Sequence, residues 1–157
     1  MVCERFPRLA EEETRTVTLL SEYNEWMLPA RKYGFLESYC GDRKSDCRRV
    51  FINVAYLSAE KDTPKVLATI GYGWDTLEYY SRWFGRGKFA AGNSIVRDLK
   101  GPTLEFAGVY TEHSEKLLKF FKEFMLEDTT FTERLKAHYR LFKNFTHTYF
   151  QCLPTQH

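Results

Sequence analysis

Two stretches rich in β-branched and aromatic residues occupy the middle of the chain. Arg48–Ala59 (RRVFINVAYLSA) and Lys65–Tyr72 (KVLATIGY) flank the polar run Glu60-Lys61-Asp62-Thr63-Pro64. Val, Ile, Phe and Tyr suit a pleated surface, and Pro64 stops either strand from running through the turn. The two segments read as one antiparallel hairpin with a five-residue connection. An isolated hairpin is marginal in water, so the rest of the chain must supply further strands and a helical cover.

The flanking segments offer that cover. Residues 10–28 predict a helix, because Val17, Leu20, Tyr23 and Met27 recur at helical spacing, with Leu19 and Trp26 widening the stripe. Pro29 closes it. Residues 31–47 read as irregular, with Gly34, Gly41 and the polar run Asp42-Arg43-Lys44-Ser45-Asp46. Asp75 with Glu78 opens a second helix in the manner of a capping box, and Gly85 and Gly87 end it. Two more strands are expected, about Ala90–Asp98 and Thr103–Val109, joined by the turn Lys100-Gly101-Pro102. A third helix runs from Ser114 to Leu126. A fourth opens with Thr130 and Glu133 and carries the stripe Phe131, Leu135, His138/Tyr139, Phe142, Phe145 and Tyr149. The order implies an α+β fold: a single domain spanning residues 1–157, with a mainly antiparallel four-stranded sheet and helices on one face. Residues 1–9 read as flexible and 130–150 as a C-terminal aromatic helix.

Composition narrows the function. At 157 residues, 43% hydrophobic, the chain can bury a core without disulfide staples. It lacks a run of about 18 apolar residues, so no membrane span is expected. The start, Met1-Val2-Cys3-Glu4-Arg5, does not read as a secretory signal. Cys3, Cys40, Cys47 and Cys152 form no CxxC pair, so reduced thiols are expected rather than a zinc site. The sequon Asn144-Phe145-Thr146 reads as chance. No GxSxG, GxGxxG, HExxH or EF-hand pattern is present, so neither enzyme chemistry nor a cofactor is expected. His138, beside an apolar stripe, reads as a core or boundary histidine.

Charge is uneven. Residues 1–30 hold 3 basic and 6 acidic side chains, while residues 31–100 hold 13 and 8. The middle segment either forms an ordinary solvated surface or meets phosphates. Tyr23 and Trp26, spaced i and i+3 on the expected helix, are either core or an exposed platform for stacking on a base. Arg48, Arg49, Lys88, Arg97 and Lys100 lie on or beside expected strands, where a sheet face could track the backbone of duplex RNA.

Several segments, in order, resemble the nineteen-kilodalton RNA-silencing suppressor family of tombusviruses. Tyr23-Asn24-Glu25-Trp26-Met27-Leu28 is similar to that family's Trp-x-Glu-Trp-x-Leu. Gly34-Phe35-Leu36-Glu37-Ser38 resembles its Gly-Phe-x-Glu-Ser, and Arg48-Arg49-Val50-Phe51 its basic-Val-Val-Phe strand start. Lys65-Val66-Leu67 and Asp75 to Gly85 resemble its Arg-Val-Leu strand and its Asp-Ser-Val-Asn-Tyr…Ser-Arg-Phe-x-Gly helix. Ser94-Ile95-Val96-Arg97, Gly101 to Gly108 and the stretch from Ser114 resemble its last strands and following helix. About residues 22–125 are covered.

The resemblance implies a viral suppressor of RNA silencing in the host cytoplasm, with nuclear entry open. It would be a homodimer whose sheets join into one surface that binds and sequesters small interfering RNA by length, not sequence. Tyr23 and Trp26 would stack on the duplex ends. Arg48, Arg49, Lys88, Ser94, Arg97, Lys100 and Thr103 would meet the backbone, with host silencing proteins as further partners. Departures are Tyr23 in place of a tryptophan, and the carboxylates of Glu105 and Asp98 on or beside the expected RNA face. Other readings are a small-molecule-binding α+β domain and a module that binds a host protein.

Overall fold

The computed structural model describes residues 6–58, 63–85 and 88–151. Helix α1 (Pro7–Glu13) leads into strand β1 (Arg15–Thr18). Strands β2 (Lys32–Ser38), β3 (Arg49–Leu57) and β4 (Lys65–Gly73) follow. Then come helices α2 (Leu77–Gly85) and α3 (Ser94–Lys100), strand β5 (Thr103–Leu104), helix α4 (Ser114–Phe120) and helix α5 (Thr129–Gln151). Helix α4 continues through a π-helical turn at Phe121–Met125. The strands form one antiparallel sheet in the order β1-β2-β3-β4-β5. The fold is α+β, with five strands where the sequence predicts four.

The alternation along β3 and β4 separates two sides. Val50, Ile52, Val54, Ala68 and Ile70 are fully buried on one side. Tyr33 and Phe35 of β2 extend that side, and Leu117, Phe120, Phe121, Leu135 and Phe142 of the two C-terminal helices cover it. Ring contacts fasten this layer. Phe35 stacks on Phe120 with centroids 6.1 Å apart, and Tyr72 meets Phe121 edge-on at 6.1 Å. The short helices α2 and α3 lie at one end of the opposite side. There Gly73 leaves the room that Tyr80 takes, since a Cβ at Gly73 would sit 2.2 Å from the Tyr80 hydroxyl oxygen.

The expected hairpin is present as β3 and β4; residues 59–62 of its turn lie outside the described residues. Five expectations about elements differ, and the helices are not confined to one face, since α2 and α3 stand on the other. Residues 10–28 are not one helix: α1 ends at Glu13 and Arg15–Thr18 is a strand. Thr16, Val17 and Thr18 are β-branched and lose rotamer freedom in a helix, and pairing with Gly34, Tyr33 and Lys32 favours the strand. The segment 31–47 contains β2, because Gly34 makes room for Leu57 rather than breaking the chain; a Cβ there would lie 3.0 Å from Leu57 Cδ1. The stretch Ala90–Asp98 yields helix α3, not a strand. Asn93 caps it by accepting from the Ile95 amide, and Gly101, at φ 64°, ends it. The last strand keeps only Thr103–Leu104. The chain then turns through Gly108, whose amide donates to Glu105 O, and rejoins β4 where Thr69 N donates to Val109 O. At the N-terminus, Pro7–Leu9 of the segment read as flexible belong to α1, while residues 1–5 lie outside the described residues.

Leu135 is fully buried between α5 and the sheet layer. Leu135→Ala is expected to lower the unfolding free energy by about 2–5 kcal/mol in a denaturant titration. A loss under about 1 kcal/mol would remove α5 from the core.

Candidate nucleic-acid interface

The side of the sheet turned away from α4 and α5 is built in register rows. One row runs Leu36, Asn53, Thr69; the next runs Ser38, Phe51, Gly71, Thr103. Leu36, Ser38, Phe51, Asn53 and Thr103 are each half-buried. Thr69 donates from Oγ1 to Asn53 Oδ1 at 2.8 Å, and the Val109 amide donates to Thr69 Oγ1 at 3.0 Å. This face therefore offers hydroxyl and amide groups around an apolar centre at Leu36 and Phe51.

Gly71 is the opening in that face. Across it, Arg49 Nη2 of β3 donates to Glu105 Oε1 beyond β5 at 2.8 Å. A Cβ at Gly71 would stand 1.8 Å from Glu105 Oε1 and 2.8 Å from Arg49 Nη2, so only glycine leaves space for this pair. The Arg49 side chain is 9% exposed and its guanidinium lies over the Phe51 ring at 5.2 Å. The carboxylate of Glu105, which alone would repel a phosphate, is thus matched to a buried guanidinium. Sequence reading placed Arg49 among backbone contacts; the structure spends its charge inside the protein.

Arg48 is also engaged. It immediately precedes β3, at φ 46°, and donates to Asp75 Oδ2 at 2.7 Å and Asp46 Oδ2 at 3.0 Å. Its guanidinium lies 4.3 Å from the Tyr79 ring centroid. Burial alone would raise the Asp75 carboxyl, but hydrogen bonds from Arg48 and the Thr76 amide, with the charges of Arg48 and Lys100, hold it below its ordinary value. Lys100 donates to the Asp75 carbonyl, and burial lowers its ammonium pKa despite Asp75. Burial first, then the Asp46 charge, pushes Tyr79 up to about 12. Tyr80 donates to Arg48 O at 2.8 Å and accepts from the Asp75 amide at 3.2 Å. Arg48, Asp75 and Lys100 tie the β2–β3 connection to α2 and α3.

The remaining candidates face solvent. Lys88, Ser94 and Arg97 are exposed. Ser94 and Arg97 are three apart on α3 and share its outer face. Thr103 donates to Asp98 O at 3.1 Å, so Asp98 is fixed through its backbone while its side chain stays exposed. A groove runs between α3 and β5; Ile95, Asp98, Leu99 and Thr103 line one part and Arg49 and Glu105 another, while Lys88, Ser94 and Arg97 lie outside its lining.

Tyr23 and Trp26 do not share a helical face, because residues 19–31 form turns outside any helix. Tyr23 is wholly exposed. Trp26 is half-buried, edge-on to Phe120 at 4.8 Å and Phe124 at 5.9 Å, and donates from Nε1 to Glu123 Oε2 at 3.0 Å. Asn24 organises the turn between them. Its Oδ1 accepts from the Trp26 and Leu28 amides, both at 3.2 Å, and its Nδ2 donates to Ser21 O and Leu28 O. Asparagine's readiness to bond its own backbone was the signal for this turn, masked by the helical recurrence of apolar residues.

Reading along the chain also missed a basic groove where the β2–β3 connection meets α5, with Arg43, Lys44, Arg140 and Lys143 in its lining. Nearly a hundred residues separate its two halves, so spacing gave no signal. Lys143 Nζ donates to Asp42 O and Ser45 O, both at 2.8 Å. Cys40 and Cys47 are free thiols; Cys3 and Cys152 lie outside the described residues. Among the described residues no group of three or more His, Cys, Asp or Glu is arranged to hold a metal ion, and no helix is long and apolar enough to cross a membrane.

Gly71→Ala is expected to drive Glu105 away from Arg49 and leave a guanidinium buried without its carboxylate. Loss of one member of such a pair costs about 3–5 kcal/mol, read as a shifted denaturant midpoint. Unchanged stability would show that the pair tolerates displacement.

Compared with known proteins, the chain matches no family model, no curated protein and no solved structure.

Proposed function

We propose that this protein is a non-enzymatic, homodimeric binder of short duplex RNA, a viral suppressor that withholds small interfering RNA from silencing. The observation that carries this reading is the sheet face left open by α4 and α5, with Ser38, Asn53 and Thr103 half-exposed on it. Duplex RNA hides its base edges in a deep, narrow groove and presents phosphates and 2′-hydroxyls, which hydroxyl and amide groups can meet without reading sequence. Ser94 and Arg97 on α3, with Lys88, are exposed and are assigned the phosphate contacts. Arg48, Arg49 and Lys100 support the face from within. Tyr23, wholly exposed, is the aromatic that meets a duplex end; Trp26 anchors the same loop against Phe120 and Phe124.

The same reading assigns the dimer to the β5 edge. An unpaired strand edge is a template for a second chain. Beyond this edge Phe106 and Tyr110 are exposed and Val109 is partly so, giving the apolar surface that edge-to-edge association buries. Phe106→Asp is expected to shift the protein to monomer in sedimentation and to weaken RNA binding with it. A stable dimer in this variant would move the interface elsewhere.

The deciding experiment is a native gel shift with duplex RNAs graded in length, beside single strands and duplex DNA. A maximum at one length supports a two-ended clamp. No shift at low salt overturns the reading. Arg97→Ala should weaken all duplexes alike and reduce the salt slope by about one. Tyr23→Ala should weaken binding about ten- to a hundredfold, as loss of one stacked contact does, and blur the length preference.

A further inference from the structure

His138 of α5 is 6% exposed, and both of its ring nitrogens meet carboxylates. Nδ1 lies 2.7 Å from Glu37 Oε2 of β2, and Nε2 lies 2.8 Å from Glu13 Oε2 at the end of α1. Tyr39 donates its hydroxyl at 2.7 Å to the same Glu37 oxygen and stands 2.9 Å from Leu135 O. Three segments far apart in sequence thus converge on one imidazole.

This geometry fixes the charge state. An ionised carboxylate only accepts, and a neutral imidazole has one N–H. With carboxylates at both nitrogens, the neutral ring would set a lone pair against one of them. The imidazolium donates to both. Burial by itself would lower the His138 pKa, but the hydrogen bonds and charges of Glu37 and Glu13 outweigh it and raise the value above its ordinary 6.5.

Among the described residues, helix α1 has little else to hold it. None of its residues is fully buried. Phe6 and Leu9 pack partly against the core, with Phe6 edge-on to Phe145 at 5.1 Å. Just beyond the helix, Arg15 pairs with Asp128 at 3.2 Å. A small cavity lined by Leu9, Ala10, Thr14 and Leu36 lies beside the histidine and its two glutamates.

We propose that His138 is a proton-operated clasp that holds α1 to the sheet and opens as pH rises. The titratable and charged groups around it are Glu13 from α1, Glu37 from β2, Tyr39 just past β2, and Arg134 one turn earlier on α5, whose charge reaches Tyr39. Tyr39 is held well above its ordinary value, chiefly by burial, and stays a neutral donor through the range where His138 releases its proton. Because folding raises the His138 pKa, the clasp contributes fully below 6.5 and is lost as pH climbs through the raised value. Proton loss leaves Glu37 with the Tyr39 hydroxyl but removes one of the two N–H groups shared by Glu37 and Glu13. Glu13, on the weakly held helix, is the carboxylate that departs. This clasp is independent of RNA binding.

The test is hydrogen exchange of the full-length protein, followed by mass spectrometry over peptides covering residues 7–13 and, as reference, β3. Rates are divided by the intrinsic rate at each pH from 6 to 9. The expected result is that α1 opening grows with pH above 6.5, by up to tenfold per unit, and levels off once pH has passed the raised His138 value, while β3 protection stays constant. Glu13→Gln leaves the His138–Glu37 pair intact and should flatten the pH response of α1 without touching β3. His138→Gln should hold α1 open at every pH. A pH-independent α1 in the natural sequence, or a full pH response surviving in Glu13→Gln, overturns the clasp.

Discussion

The molecule rests on the apolar side of two neighbouring strands. Val50, Ile52 and Val54 of β3 and Ala68 and Ile70 of β4 are wholly withdrawn from water. A side chain alternates faces along a strand, so burying one side fixes what the other must present. Once Phe120, Phe121 and Leu135 close over the apolar side, Asn53, Thr69 and Gly71 have no choice but the opposite one. The polar face is therefore a by-product of the core register as much as a feature in its own right. A slip of one residue would exchange the two.

The parts of this architecture that obey a strong local period were legible in the sequence. The β3–β4 hairpin and the helices Leu77–Gly85, Ser114–Phe120 and Thr129–Gln151 stand close to where their apolar patterns put them, although Thr76 and Asp128 cap the first and last in place of Asp75 and Thr130. Where two periods overlap, the reading failed. Val17 and Leu19 fit both a helical stripe and a strand alternation, and only Tyr33 and its neighbours on β2 decide between them. Gly34 looked like a breaker because the bulk it accommodates, Leu57, arrives from another strand. In α3 the cap residues Asn93 and Gly101 carried the right signal, but the run Ser94-Ile95-Val96-Arg97 looked like strand. The site was less legible than the fold. Arg48 and Arg49 are adjacent in sequence and look alike, yet their partners Asp75 and Glu105 lie 27 and 56 residues away. A count of basic residues cannot tell charges already matched from charges still facing solvent.

That distinction reshapes the electrostatics. Much of the basic excess of the middle segment serves to join elements. Arg48 and Lys100 converge on Asp75, and Arg49 holds Glu105 over the gap at Gly71. Paired charges of this kind change little with the approach of an anion, whereas Lys88 and Arg97 on the surface still respond to one. The acidic N-terminal segment, in turn, is partly drawn inward, with the half-exposed Glu13 meeting a buried histidine.

The turn around Asn24 has a kinetic meaning. One side chain there engages two amides and two carbonyls within a stretch of eight residues, so the loop holds its shape without belonging to helix or sheet. Tyr23 rides on that rigid support with its ring in water. An aromatic displayed this way surrenders little freedom when another surface arrives, because the backbone beneath it is ordered beforehand. For any surface that stacks on this ring, orientation would set the rate of encounter, with no folding of the loop that presents it.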